Sequence, residues 1–322
     1  MDRRLTAVML AGTLRPTPLR EALDVPVLRL PVGRVGTLLD AWLGCLGTIS
    51  CLDDVRIVVN SEGDAETVRS LLGRWARNGA IRAIAEPASW RGAGGILRDV
   101  MGEARGGSAV VVCEANALPP DDLAPVLEEL EAGSAGGIVG VYGADEPGGV
   151  YAFRRALLGR IPSIGYHDLK EQFLPSLAGS GVEIRTAALS GRPTSLRDLG
   201  GYLAAAGVSL GSEEGGERRG RISSGARVSG SATVDGLCVV EEGVVVEDGA
   251  VIHDAVLLVG ATIGVGAVVS RSIVGPCSAV PAQARVIGEV VFDAHRAGPG
   301  AVRAVGPREA AALVRPAGGG RR

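Results

Sequence analysis

The sequence predicts an α/β protein in which a doubly wound, mostly parallel sheet is followed by a short left-handed β-helix. Two observations carry this prediction. Apolar runs alternate with helical patterns over residues 1–210, and branched residues recur every six positions from Ile222 onward. The predicted organisation is an α/β domain over 1–210, a linker over 211–221, hexapeptide repeats over 222–291 and a Gly/Pro/Arg-rich tail over 292–322.

The first strand is predicted over the apolar run from Leu5 to Leu10, which ends at Ala11 and Gly12. The run lacks polar alternation, as is typical of a central parallel strand that is buried on both faces. In a doubly wound sheet the loop after this strand opens at the ligand crevice, where backbone N–H groups can face a phosphate.

Strands and helices alternate along the rest of this domain, which favours parallel pairing. Strands are predicted over 55–60, 81–85, 108–113, 138–142 and 150–153. Helices are predicted over 37–46, 62–78, 168–177 and 195–206, and another starts at 119–123. Ser195 is the predicted N-cap of the last helix, with Asp198 as an acid of its first turn.

The C-terminal repeat has a period of six residues. Its branched side chains are predicted to point into a β-helix, and its small residues to fill the corners. About 18 residues per three-sided turn predict roughly four coils. With one slip of phase, the predicted inward residues are Ile222, Val228, Val234, Val240, Val246, Ile252, Val268, Val274, Val280 and Val286.

The composition limits the classes of function. Hydrophobic residues make up 46% of the chain and aromatics only 3%, so the core consists of Val, Leu, Ile and Ala. A net charge of −3 and a pI near 5.8 argue against general nucleic-acid binding. We see neither a membrane-spanning run nor a signal peptide, and the five cysteines form no C-x-x-C pair. We therefore expect a cytoplasmic protein with reduced thiols.

Three segments of the chain resemble the sugar-1-phosphate nucleotidyltransferases. Residues 11–16 (AGTLRP) and 24–26 (DVP) resemble shortened forms of that family's A-G-G-x-G-T-R-L-x-P and P-K-P motifs, and residues 90–98 resemble its G-T-A-G-A-L-R. Hexapeptide coils after such a domain complete the family layout. The resemblance implies a Rossmann-like fold with nucleotide-binding residues Ala11, Gly12, Arg15, Gly92, Gly94 and Gly95.

The positions that carry catalysis in this family are altered. Thr13 lies in a first loop too short for the motif arginine, Val25 replaces a phosphate-binding lysine, and Asn116 and Ser195 stand where the family has metal-binding aspartates. The lysine-bearing segment before the sugar site is absent, and Lys170 is the only lysine of the chain. Because phosphoryl transfer depends on cations placed in advance, these losses leave little catalysis.

The leading hypothesis is therefore a pseudoenzyme without catalytic residues, which serves as a regulatory or scaffolding subunit. It would self-associate through its β-helix or pair with an active paralogue, and would sense a nucleotide or NDP-sugar through residues 92–95. No cofactor, nucleic acid or membrane partner is expected in that case.

Two alternatives remain open. The first is an active, divergent nucleotidyltransferase that converts NTP and sugar-1-phosphate to NDP-sugar and pyrophosphate. It would use Arg15, Arg29 and Arg91 for phosphate, and Glu114, Asp121 or Asp122 for Mg²⁺. The second is an acyltransferase with a histidine base in the β-helix. His253 lies in a hexad, but its place after an inward residue predicts that it faces solvent.

Overall fold

The computed structural model describes residues 4–12, 17–33, 36–75, 81–86, 91–102, 108–210, 220–293 and 302–305. Thr13, Arg15 and most of the predicted linker, 211–219, lie outside these ranges. The chain divides into two compact units. The first consists of Met1–Arg15, Val25–Leu30 and Thr37–Pro193, and the second of Pro16–Asp24, Pro31–Gly36 and Thr194–Arg322.

The first unit is built on a seven-stranded sheet with the order β5-β4-β1-β6-β8-β7-β9. The first nine strands of the chain are β1 (Leu5–Leu10), β2 (Pro31–Val32), β3 (Gly36–Thr37), β4 (Leu52–Val59), β5 (Ile81–Ala85), β6 (Ala109–Glu114), β7 (Gly137–Tyr142), β8 (Glu146–Arg154) and β9 (Ile184–Ala188). Within this sheet only the pairs β6–β8 and β7–β8 are antiparallel. The predicted mostly parallel sheet is therefore confirmed.

The helices confirm most of the predicted pattern. They are α1 (Pro18–Leu23), α2 (Leu38–Leu46), α3 (Glu62–Leu71), α4 (Gly92–Gly102), α5 (Ala124–Ala132), α6 (Leu174–Gly179) and α7 (Leu199–Leu210). A π-helical turn, Leu169–Phe173, precedes α6. The sequence pattern predicted neither α1 nor β9.

The prediction that Ser195 caps the last helix is wrong. Helix α7 begins at Leu199, and the Oδ1 atom of Asp198 accepts a hydrogen bond from the Gly201 N–H at 2.8 Å. Asp198 is therefore the N-cap, because its carboxylate satisfies a backbone donor of the first turn.

The second unit contains a β-helix of four three-sided coils. Its strands are β10 (Arg221–Ile222), β11 (Arg227–Val228), β12 (Thr233–Asp235), β13 (Val239–Val240), β14 (Val245–Val246), β15 (Val251–His253), β16 (Val256–Leu257), β17 (Thr262–Ile263), β18 (Val268–Ser270), β19 (Ile273–Val274), β20 (Ala279–Val280), β21 (Arg285–Ile287), β22 (Val290–Asp293) and β23 (Val302–Val305). They form three parallel ladders, and β23 adds an antiparallel strand beside β22.

The prediction of a single slip in the six-residue period is wrong. Ile222 lies opposite Val240, which gives a coil of 18 residues, whereas Val240 lies opposite Leu257, which gives 17. Later coils also contain 17 residues, because one corner of each is a residue shorter. As a consequence Val269 points into the core, and the predicted inward residue Val268 is only partly buried.

One ladder of the β-helix is apolar on its outer side as well. Val239, Val256 and Ile273 alternate with the inward residues, yet they are fully buried. Helix α1 packs against β22, and a Cβ at Gly207 of α7 would lie 2.7 Å from Leu237 Cδ1, beside β13. These contacts place both helices against this ladder. None of the described helices has the length and apolarity needed to cross a bilayer.

Candidate functional site

The predicted site residues of the first unit lie near the carboxyl ends of its parallel strands. Leu10 of β1 is paired with Glu114 of β6, so the two strands end side by side. On the antiparallel neighbour β8, a Cβ at Gly149 would lie 3.1 Å from the Glu114 Cβ. This edge of an α/β sheet is where ligands generally bind.

The turn after β1 is bound to the neighbouring strand. The N–H groups of Ala11 and Gly12 both donate to the Val58 carbonyl, at 2.9 and 3.1 Å. A side chain at Gly12 would meet the amide oxygen of Asn60, whose side chain would have to move aside. These two N–H groups already have an acceptor within the protein, so a phosphate here would have to compete with it.

The glycines at the start of α4 lie against another part of the chain, residues 162–168, which we call the strap. Gly92 has a φ of +71°, and a Cβ there would lie 2.7 Å from the His167 carbonyl oxygen. A Cβ at Gly94 would lie 2.9 Å from the same oxygen, and the Gly95 N–H donates to it at 3.0 Å. The structure thus explains the small residues by close packing of the strap.

The buried side chain of Arg91 binds the strap by hydrogen bonds. Its Nε and Nη2 atoms donate to the two carboxylate oxygens of Asp99 at 2.7 and 3.0 Å. Nη2 also donates to the Pro162 carbonyl at 3.1 Å, and Nη1 donates to the Gly165 carbonyl. The hydrogen bond with Asp99 raises the pKa of Arg91 above its ordinary value. This guanidinium is buried and already hydrogen-bonded to Asp99 and to the strap, so a phosphate would have to displace these partners to bind it.

Glu114, the candidate metal ligand, is paired with the only lysine of the chain. The Lys170 Nζ atom lies 2.7 Å from Glu114 Oε1 and 3.0 Å from Oε2. The Tyr151 hydroxyl donates to Oε1 at 3.3 Å. Burial and the nearby Glu114 charge both raise the pKa of Tyr151, so the phenol stays protonated. The carboxylate therefore already has a cation and a hydrogen-bond donor.

A metal centre is not assembled by the described residues, among which no three His, Cys, Asp or Glu side chains are placed to hold an ion. Asn116 is half-buried in the turn after β6. Val25 is half-buried in a bend before the 3-10 turn Val27–Arg29, which holds Arg29. Ser195 is exposed and belongs to the second unit.

Sequence reasoning missed Tyr151, Asp168 and the strap as parts of this site. Tyr151 belongs to β8, and the alternation of side chains along a strand was the one signal that could have indicated which face of the sheet it occupies. The Asp168 carboxylate caps the π-helical turn by accepting from the Lys170 and Glu171 N–H groups at 2.7 and 2.8 Å. The strap has no local signal, because its contacts join residues far apart in the chain.

His253, the candidate base of the acyltransferase alternative, is 48% exposed, so the prediction that it faces solvent is confirmed. Its Nδ1 lies 2.6 Å from Asp235 Oδ1, and its Nε2 lies 3.2 Å from Asp254 Oδ2. The hydrogen bond with Asp235 raises the pKa of His253, and the Asp254 charge adds to this. Both ring nitrogens face carboxylates, which favours the imidazolium form and disfavours a general base.

Residues 209–297 match the C-terminal hexapeptide domain of GlmU-like proteins. This finding confirms the predicted hexapeptide repeats. No curated protein matches the chain.

Proposed function

We propose that this protein is a homologue of sugar-1-phosphate nucleotidyltransferases that has lost catalysis and serves as a regulatory or scaffolding subunit. The observation that carries the proposal is the ion pair between Glu114 and Lys170. The only lysine of the chain is held by Glu114, one of the carboxylates that we predicted as metal ligands. A phosphate or Mg²⁺ would have to compete with this partner for either group.

The charge requirement of phosphoryl transfer explains why this ion pair argues against catalysis. Negative charge spreads over the phosphate oxygens in the transition state, and positioned cations stabilise it. Removing one such group typically costs about 3 kcal/mol of transition-state stabilisation. Val25 and Asn116 bring no charge, Arg91 is bonded to Asp99 and the strap, and Lys170 is neutralised by Glu114.

The β-helix supports the scaffolding part of the proposal. Four rigid coils offer flat outer faces along which a second copy or an active paralogue can pack. In this proposal the first unit supplies nucleotide or NDP-sugar binding without turnover, and the second supplies assembly.

A pyrophosphate-release assay tests the loss of catalysis. The purified protein is incubated with nucleoside triphosphates and sugar-1-phosphates, with and without Mg²⁺, beside an active nucleotidyltransferase as positive control. We expect no release above background. Mg²⁺-dependent release that is abolished in Glu114→Ala would contradict the proposal and establish the active enzyme instead.

A thermal-shift titration tests ligand sensing separately. Stabilisation by an NDP-sugar that does not require Mg²⁺ would support a sensor that keeps its pocket without its chemistry. Stabilisation that appears only with Mg²⁺ would argue for the enzyme. Size-exclusion chromatography with light scattering then measures the assembly state, and a strictly monomeric protein that captures no paralogue would contradict the scaffolding role.

A further inference from the structure

The strap is anchored in the core at both ends and exposed between them. Ile161 before it and Leu169 after it are buried, whereas Ile164 is 82% exposed and Tyr166 46% exposed. Two firm anchors around an exposed segment allow the segment to swing without unfolding the sheet. Its resting place is the glycine-rich start of α4, which the family resemblance assigns to nucleotide binding.

Arg91 is the centre of the contacts that hold the strap down. Its side chain donates to the Pro162 and Gly165 carbonyls, and its own carbonyl accepts the His167 N–H at 2.8 Å. Asp99 fixes the guanidinium from the other side with two hydrogen bonds. The clamp is therefore a single buried side chain that binds strap backbone, and it does not depend on the identity of most strap residues.

The closed position also leaves one polar atom unsatisfied. The Nε2 atom of His167 is buried and has no hydrogen-bond partner among the described residues. Its ring lies edge-on against Phe173 of the core. A buried polar atom without a partner disfavours the state that contains it, and water would satisfy this atom if the strap opened. The hydrogen bonds of Arg91 thus stabilise the closed strap, whereas the unpartnered Nε2 atom of His167 destabilises it.

We propose that the strap is a lid that Arg91 holds closed over the start of α4, and that its closure excludes a nucleotide or NDP-sugar from the surface of Gly92, Gly94 and Gly95. This inference rests on the proposed function, because the ligand is the one that the function assigns to this surface. The protein would then be a sensor whose affinity is set by the equilibrium between the closed and open strap.

The first test releases the clamp with the double variant Arg91→Gln/Asp99→Asn. Removing both partners avoids leaving one buried charge unpaired. Hydrogen exchange is followed by mass spectrometry, and we expect peptides that cover the strap to exchange about tenfold faster or more. The matched control removes an exposed pair of the same kind, Arg69→Gln/Glu62→Gln. Unchanged exchange in the strap would overturn the clamp.

A second variant displaces the strap without touching Arg91. Gly94→Ala puts a methyl group 2.9 Å from the His167 carbonyl oxygen, while alanine favours the helix itself. The control Gly102→Ala lies in the same helix, and no atom of the described residues outside its own helix turn lies within 4 Å of the new methyl group. We expect faster exchange of the strap in Gly94→Ala only. Equal exchange in both variants would contradict the packing on which the lid depends.

Calorimetric titration with ADP-glucose and GDP-mannose tests the exclusion of ligand. We expect at least one of them to bind the clamp-free double variant about tenfold more tightly than the unaltered protein, because opening no longer limits binding. Equal affinities, or no binding by either protein, would overturn the lid and leave the loss of catalysis untouched. Pyrophosphate release by the double variant would instead overturn the proposed function while supporting the lid.

Discussion

At the scale of single residues, several arginines of the described part of the chain bind carbonyl groups of its own backbone. Arg56 is buried and donates to the Val100 carbonyl. Arg154 donates to the Leu130 and Gly133 carbonyls at 3.0 and 2.9 Å, at the end of α5. A guanidinium suits this role because it stays charged and offers several donors in one plane. These arginines satisfy backbone carbonyl groups, so their number alone is no measure of phosphate binding.

The Glu114–Lys170 ion pair can be measured by a double-mutant cycle. Glu114→Gln and Lys170→Gln each remove one charge and leave the other without its partner. We expect both to lower the free energy of unfolding, and the double variant to recover part of the loss, with a coupling of about 1 kcal/mol. Urea denaturation measures all four proteins. A coupling near zero that does not change with salt would show that the pair is incidental.

His253 predicts a dependence of stability on pH. The unfolded histidine titrates near pH 6.5. Its pKa is raised in the folded protein by the hydrogen bond with Asp235 and by Asp254, although Arg271 and slight burial oppose this. The stabilisation is therefore complete below about pH 6.5 and is lost as the pH rises through the raised pKa. Melting temperatures of the unaltered protein and His253→Gln should converge at alkaline pH, and a constant difference would refute the interpretation.

At the scale of elements, local rules predicted the regular parts well. Helix α2 begins where expected, because Thr37 and Asp40 form a reciprocal capping box, and β5 spans Ile81–Ala85 as predicted. Helix α1 escaped prediction because six residues are too few to show a helical period. The strap and the Glu114–Lys170 pair escaped because tertiary contacts between distant residues leave no local pattern.

The register of the β-helix shows the same limit. Two adjacent valines, Val268 and Val269, fit a six-residue period almost equally well, and only the shortened corner decides which one points inward. Arg271 adopts a positive φ of 46° at that corner. Asp254 and Gly288, at the equivalent corners of the preceding and following coils, also have a positive φ. A count of residues along the sequence cannot reveal a corner that drops one residue.

Truncation of these two valines tests the corrected register. Val269→Ala removes buried methyl groups from the core, and we expect a loss of about 2 kcal/mol in the free energy of unfolding. Val268→Ala is the matched control on the other side of the strand, with an expected loss well under 1 kcal/mol. Equal losses for the two variants would contradict the register in which Val269 points into the core and Val268 away from it.

At the scale of the whole molecule, the two compact units are interleaved in sequence. The second unit takes Pro16–Asp24 and Pro31–Gly36 from the N-terminal part of the chain and joins them to residues after Pro193. Within that unit the Tyr202 hydroxyl of α7 donates to the Pro31 carbonyl at 2.9 Å. A cut near residue 210 would therefore divide the second unit itself.

Leu23 of α1 tests this interleaving. It is buried, and a Cβ at Gly275 of the β-helix would lie 3.4 Å from its Cδ2 atom. Leu23→Ala should destabilise the second unit by about 2–3 kcal/mol and speed hydrogen exchange in β22. The control Glu21→Ala changes an exposed residue of the same helix. If β22 exchanges at the same rate in both variants, α1 contributes nothing to that end of the β-helix.

The position of α1 also sets the order of events on the ribosome. The helix leaves the exit tunnel long before the strand that it covers, since β22 begins at Val290 and α1 ends at Leu23. At typical translation rates the delay is roughly a quarter of a minute to a minute. Throughout that interval α1 lacks the strand β22 against which it packs in the folded protein. A chaperone that shields short apolar segments of nascent chains would bind α1 during that interval.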